Sequence, residues 1–225
     1  MIKKNDLIAL DDVKNDAEVQ ALLKAADDNF AAIGYKEHGF RHAQLAANIA
    51  GNVLKYLGFP ERDCELARIS AYMHDIGNAF GAQGHMQSGA VFTMDVLRRL
   101  GMIQNEIFRV INAIGCHEER DYDPHSPITA AAILGDKTDV HRTRVRKKNL
   151  RDFDMHDRVN YACERSFLRV DKEKSEISLE LNIDIDICSV MNYFEIFLSR
   201  LHMAKKAARF LKCNFVLFIN QDKFL

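Results

Sequence analysis

The stretch "AYMHDIGNAF", residues 71–80, sets His74 and Asp75 side by side at the end of an apolar run. Buried carboxylates are rare unless they are paired or bound to a metal, because a lone charge loses its hydration on burial. The doublet therefore calls for partners from elsewhere in the chain. Working outward, the candidates are His42 at the start of "HAQLAANIAGNVLKYLG", His85 in "GAQGH", His117 in "IGCHEE" and Asp136 in "AAILGDK". Each lies at or near the end of an expected helix, beside apolar residues. Taken singly, any of these histidines reads equally well as a helix cap or as a C-terminal side chain favoured by the helix dipole. His74, Asp75 and Asp136 together are not explained by capping.

The surroundings are helical. Ala21, Leu22, Ala25, Ala26, Phe30 and Ile33 recur at helical spacing up to Gly34. Leu45, Ile49, Val53, Leu54 and Leu57 continue the pattern up to Gly58. "PERDCELARISAYMHD" starts with Pro60 in a position suited to a first helical turn. Further helices are expected over residues 86–100, 104–116 and about 128–140. Past residue 140 a densely charged stretch, "DKTDVHRTRVRKKNLRD", gives way to period-two alternation in "SFLRVDKEKSEISLELNIDID". Phe167 and Leu168 lead into a turn at Asp171–Ser175, and Ile177, Leu179, Leu181, Ile183 and Ile185 alternate after it, which describes a hairpin with one apolar face. A long amphipathic helix capped by Ser189 follows, and "NFVLFIN" closes the chain as a buried strand. The expected architecture is mostly α over residues 1–150, with a small α+β module of β-β-α-β order over residues 151–225.

The 225 residues are 48% hydrophobic and 28% charged with a formal net charge of −1, so bulk charge does not suggest a nucleic-acid binder. Five widely spaced cysteines without a CxxC pair suit reduced thiols, and the N-terminal stretch is too short and too acidic to read as a signal peptide. No segment approaches the ~18 uninterrupted apolar residues of a membrane span. The expectation is a soluble cytoplasmic protein.

An upstream His, a His-Asp doublet and a downstream Asp in an all-α setting resemble the HD superfamily of metal-dependent phosphohydrolases, over roughly residues 35–140. The resemblance makes the region an HD-domain helical bundle with His42, His74, Asp75 and Asp136 on one metal. His85 and His117 fall in the order seen in two-metal members, which implies a second metal held by Asp75, His85 and His117, with Asp75 bridging. The six positions are similar to those of bacterial HD hydrolases that split diadenosine tetraphosphate and, in ligand set, to HD-GYP cyclic-dinucleotide phosphodiesterases. After His117 the chain reads "EERDYDPHSP", with no GYP element, and a charged linker and β-containing tail follow the helical core. Ile76 and Gly77 follow the doublet where HD enzymes acting on guanosine tetraphosphate carry paired acidic residues.

Imidazole and carboxylate donors suit divalent Fe or Mn, and also Zn, Co or Ni. Two such ions clamp phosphate oxygens and supply an activated water for in-line displacement. The expected activity is hydrolysis of a phosphoester or phosphoanhydride bond in a small phosphorylated metabolite, a nucleotide above all. The alternative is a nucleotide- and metal-binding sensor without turnover. Lys137, next to Asp136, is the candidate for neutralising substrate charge, with Asp75 as the other catalytic residue. Arg41 is a weaker candidate, because adjacent helical residues point about 100° apart. The basic run Arg144–Lys148 reads as a solvated connector, and "FGAQGH" as either a loop over the site or a plain connection. His125 and His141 read as surface loop residues, His38, His156 and His202 as structural or exposed. "MNYFEIF" reads as core packing against the tail strands. An exposed strand edge in the tail makes a homodimer the expected assembly.

Overall fold

The computed structural model describes residues 7–119, 121 and 123–225. Nine α-helices and four strands lie among them. Helices α1 (Leu10–Asn15) and α2 (Ala17–Ala32) lead into α3 (Phe40–Leu57), α4 (Glu61–Met73), α5 (His85–Arg99), α6 (Gln104–Gly115) and α7 (Pro127–Lys137). A 3-10 turn, Ile76–Phe80, sits between α4 and α5. After two short 3-10 segments come α8 (Met155–Ala162), β1 (Cys163–Asp171), β2 (Glu176–Ile183), α9 (Val190–Phe210), β3 (Asn214–Ile219) and β4 (Asp222–Lys223). The mostly helical bundle followed by a small mixed sheet agrees with the sequence expectation, whereas α1, α8 and β4 carry too few periodic residues to announce themselves. Among the described residues no helix is long and apolar enough to cross a membrane.

Local chemistry sets the boundaries that matter for the site. Gly58 ends α3 in the left-handed region at φ 88°. Ser126 accepts a hydrogen bond from Thr129 N at 3.1 Å, and Pro127 opens α7 where its missing N–H costs nothing. Ser189 caps α9 through Asn192 N, as its position after the hairpin suggested. In the sheet, β1 pairs antiparallel with β2, β2 parallel with β3, and β3 antiparallel with β4. Ile177, Leu179, Leu181 and Ile183 all turn to the buried face, while Ile185 falls beyond the strand and is exposed.

The core-facing stripe of α3 starts with alanines, Ala43, Ala46, Ala47 and Ala50, and ends with the buried Val53 and Leu54 that the periodicity marked. The larger Leu45 and Ile49, which the periodicity marks as core, are half-buried around a cleft shared with Leu168 and Val170 of β1. Small residues are needed because α4 and α7 both pack closely on α3. Between α3 and α7 the backbones meet at Gly135, where a Cβ would overlap the Ala46 carbonyl oxygen. A second close approach, at Gly77, presses the 3-10 turn onto the start of α5, with the Gly89 amide nitrogen 2.6 Å from where a Cβ would stand. Both glycines are neighbours of the acidic residues singled out in the sequence.

The basic stretch is not a solvated connector. Arg144 is fully buried and donates to the Glu37 carbonyl through Nε and Nη2 (3.1 and 2.9 Å) and to the Asp139 carbonyl through Nη1 (3.0 Å). Arg146 donates to the Tyr35 carbonyl at 3.0 Å and pairs with Asp27. These arginines pin the segment between α2 and α3, which exposes its carbonyls for want of regular structure. The aromatic stripe of α9 is core, as expected, but not against the tail strands alone: stacked Tyr193 and Phe197 are buried in a helix that packs along α7 as well as against β3. The apolar side chains of the bundle and the sheet form one contiguous cluster.

Replacing Gly135 by Ala should force α3 and α7 apart and cost about 1–3 kcal/mol. Thermal unfolding followed by circular dichroism should show a Tm lower by several degrees. Gly115→Ala, whose nearest neighbour is 4.0 Å from the added carbon, should leave Tm essentially unchanged.

Candidate metal centre

All six side chains that the sequence pointed to converge. His42 comes from the first turn of α3, His74 and Asp75 from the end of α4, His85 from the first residue of α5, His117 from just past α6, and Asp136 from the last turn of α7. His42 Nε2 lies 3.3 Å from His74 Nε2, and His85 Nε2 lies 3.3 Å from His117 Nε2. Asp136 Oδ1 is 3.6 Å from His42 Nε2 and 3.8 Å from His74 Nε2. Asp75 faces both pairs. Its Oδ2 is 3.2 Å from His74 Nε2 and 3.7 Å from His42 Nε2, while its Oδ1 is 3.9 Å from His85 Nε2.

Every imidazole is held by its other nitrogen. His74 Nδ1 bonds the Ala71 carbonyl at 2.7 Å, His85 Nδ1 the Ala82 carbonyl at 2.9 Å, and His117 Nδ1 the Ile114 carbonyl at 2.7 Å. Each of these carbonyls lies three residues earlier in the chain, as it must for a histidine at a helix or turn boundary. His42 Nδ1 instead meets Asp139 Oδ2 at 2.7 Å. A carbonyl or carboxylate acceptor fixes the proton on Nδ1 and leaves the Nε2 lone pair pointing inward. The capping reading and the donor reading of these histidines thus hold together: Nδ1 satisfies the local backbone, and Nε2 is turned to the cluster.

Inward-facing lone pairs 3.3 Å apart repel one another, and two buried carboxylates add to the negative potential. Asp75 Oδ2 is buried without a hydrogen-bond partner. Asp136 Oδ2 likewise accepts no well-directed hydrogen bond, although Lys137 Nζ is 2.5 Å away. A cation placed between these groups would satisfy both the unpartnered carboxylate oxygens and the opposed lone pairs. Three overlapping sets of donor atoms, each within 4.8 Å of one another, are compatible with metal binding: His42, His74 and Asp136; His74, Asp75 and His117; and His85, His117 and Glu118. Electrostatics agree. Burial alone would depress the His74 imidazolium, yet Asp75 and Asp136 outweigh it and raise its pKa to about 9. Burial and the neighbouring His74 hold His117 down to about 4. Burial opposes the ionised forms of Asp75 and Asp136, but His74 and Lys137 respectively keep both well below the usual carboxylate range.

Around this cluster stand residues that sequence reading passed over. Asp139, three positions after Asp136, orients His42 and is itself bonded by Arg41 Nη2 at 2.8 Å, which makes Arg41 a structural partner. Asn78, inside the opening decapeptide, donates to Asp75 Oδ1 at 2.9 Å. Glu118 receives Lys137 Nζ at 2.6 Å and lies 3.8 Å from His85 Nε2. Lys137 is 4% exposed and spans two carboxylates, so its charge is already balanced. A Nδ1 in search of an acceptor was the signal for Asp139; nothing in the local pattern signalled Glu118 beyond its adjacency to His117.

A cleft of about 310 Å³ opens above the cluster, lined by Asp75, Asp136, His85 and Glu118 at its foot and by Phe30, Ile33, Tyr35, His38 and Arg200 on its walls. Phe30 and Ile33, expected in the core, are thus cleft residues, and Ile33 is 74% exposed. His38, read as structural or exposed, is buried and stacks on Tyr35 with centroids 5.3 Å apart. Ala82 of the glycine-rich loop also borders the cleft. His125, exposed, groups with Cys116 and Glu119 away from the six residues, and His141 caps a 3-10 turn through Thr143. His156 and His202 are exposed.

Because a metal ion must displace the proton that Asp75 and Asp136 hold on His74, metal binding should tighten as pH rises from 6 toward 9 and level off above that. The Tm gained when Mn²⁺ is added to chelator-treated protein should accordingly be larger at pH 8 than at pH 6. An equal gain at both values would remove His74 from the site.

The HD domain family model matches residues 35–183, well over half of the chain. No curated protein matches it. The match starts at the aromatic wall of the cleft, takes in all six convergent side chains and runs on through β2. On that match and on the His-Asp cluster it encloses, the chain belongs to the HD domain family, whose members are typically metal-dependent hydrolases.

Proposed function

We propose that the protein is a phosphohydrolase that cleaves a phosphoester or phosphoanhydride bond of a small phosphorylated substrate, a nucleotide, at a dinuclear metal centre. The observation that carries this reading is Asp75, a buried carboxylate whose Oδ2 has no hydrogen-bond partner and whose two oxygens face different histidine pairs. His42, His74, Asp75 and Asp136 would hold one ion, and Asp75, His85 and His117 the other. The mixed imidazole and carboxylate donors favour Fe or Mn, with Zn, Co and Ni also accommodated. Bound there, divalent ions supply Lewis-acid polarisation of phosphoryl oxygens and a nucleophilic water at neutral pH.

The chain's own residues do the rest. The Nδ1 anchors to Ala71, Ala82, Ile114 and Asp139 keep the four imidazoles from rotating, so no reorganisation is needed when substrate arrives. Asn78 holds one oxygen of Asp75 and leaves the other free. Lys137 clasps Asp136 and Glu118 together at the foot of the cleft, where its ammonium offsets part of the carboxylate charge that would otherwise repel a phosphate. Water adds across the P–O bond: its oxygen ends on phosphorus, and the leaving oxygen takes up the proton.

Metal analysis of protein purified without chelator should find at least one equivalent of Fe or Mn in the wild type and clearly less in Asp75→Ala. A panel of phosphomonoesters, phosphodiesters and dinucleoside polyphosphates supplied with Mn²⁺ or Fe²⁺ should show turnover, with kcat in Asp75→Ala reduced at least 10²-fold. Less than one equivalent of metal, unchanged by Asp75→Ala, would sink the metal reading. Retained metal and tight nucleotide binding without turnover of any compound would mark a sensor instead.

A further inference from the structure

The cleft has a cationic wall that the metal chemistry does not use. Arg200 projects into it from α9, the long helix of the C-terminal part. Its Nη1 is buried and has no hydrogen-bond partner. The buried Arg144 and half-buried Arg146 of the connector differ, since backbone carbonyls and a carboxylate satisfy them. Lys36 stands on the same ring: its ammonium and the Arg200 guanidinium lie 5.3 and 5.4 Å from the Phe197 centroid. Burial first, then Arg200 and Arg144, push the Lys36 ammonium down to about 6. A half-buried guanidinium without an acceptor is costly to keep and presents a fork of donors to whatever enters the cleft.

The wall nearby is aromatic. Phe30, Tyr35 and His38 form a continuous set of rings, with Phe30–His38 centroids at 4.5 Å and Phe30–Tyr35 at 5.3 Å. Tyr35 and His38 are nearly parallel, at 16°. Phe30 and Tyr35 are only half-buried, and both line the cleft. A planar heterocycle is the natural occupant of such a surface, since every nucleobase has a face to stack. Rings for a base and an unpaired guanidinium for a phosphate stand on the walls of one cleft.

We infer that the C-terminal helix completes the substrate site: Arg200 binds a phosphate of a nucleoside phosphate whose base stacks on Phe30 and Tyr35. A guanidinium takes a phosphate through two parallel N–H···O bonds, which would satisfy the buried Nη1. The inference rests on the reading of this cleft as the substrate site, and it assigns the role of the segment after β2 in that site. Specificity for nucleotides over sugar phosphates then belongs to the segment before α3 and to α9, while the metal cluster handles the bond that breaks.

Isothermal titration of the intact protein with AMP, GMP, CMP and UMP, with ribose 5-phosphate and with the matching nucleosides tests this, in chelator-treated and in Mn²⁺-loaded samples. At least one nucleotide should bind tenfold or more tightly than ribose 5-phosphate. Arg200→Ala should weaken that nucleotide at least tenfold and leave its nucleoside unchanged, with Arg200→Lys recovering part of the loss. Tyr35→Ala should erase the preference over ribose 5-phosphate. Metal content should be the same in all variants, and Tm in Arg200→Ala should be unchanged or higher, because an unbalanced charge has been removed. Nucleotide binding by Arg200→Ala equal to wild type, or no nucleotide bound better than ribose 5-phosphate, would overturn the inference. Metal binding and turnover with an unaffected Arg200→Ala would remove this inference alone. The expected titrations in protein that holds no metal would remove the hydrolase reading alone.

Discussion

Four imidazoles point their Nε2 lone pairs at one another, and two buried carboxylates close the ring; the interior of this bundle is organised around that concentration of negative potential. A fold tolerates such a cluster only if something positive sits within it, since desolvated carboxylates and opposed lone pairs are each unfavourable alone. A proton on His74 is a partial answer, and the rise of its pKa to about 9 measures how strongly Asp75 and Asp136 ask for one. A divalent cation answers the same demand more completely, because it accepts several lone pairs at once. Stability of the helical core and metal binding are therefore one problem in this protein, with the same residues serving both.

Close backbone packing brings the donors together. α3 and α7 touch at Gly135 and Ala46, so that His42 and Asp136 face each other across an interface of alanines and glycine. The 3-10 turn touches α5 at Gly77, which holds Asp75 within reach of His85. Larger side chains at these contacts would leave the helices intact and separate the donors. The orientation of each imidazole is then set locally: three use the carbonyl three residues earlier, and the fourth uses Asp139, which Arg41 and Arg144 hold in place. The charged stretch after α7 is thus internal scaffolding, and its arginines tie the segment at residues 35–37 to the end of α7.

The part of the chain beyond the bundle is continuous with it. α9 lies along α7, and Tyr193 and Phe197 are buried between the two halves of the fold. Through Arg200 the same helix reaches the cleft that Asp75 and Asp136 floor. The walls of that cleft come from the two ends of the sequence and its floor from the middle, which separates the groups suited to recognising a ligand from those suited to binding a metal.

By itself the sequence determined the element types, the hairpin and its buried face, the cap at Ser189, and the six donors of the cluster. Those features depend on spacing within a dozen residues, or on residue types that few other roles explain. Asp139, Glu118, Asn78, His38 and Arg200 were decided only by the tertiary structure. Each acts across contacts between distant segments, and in the sequence each looks like an ordinary polar residue on a helix or loop. The alanine stripe of α3 shows the same limit for the core: periodicity marks Leu45 and Ile49 as buried, but close packing against α4 and α7 rewards the smallest side chains and turns the larger ones aside. Donor chemistry is a property of residue types and can be read along a chain; which side chain completes a site is a matter of which surfaces meet.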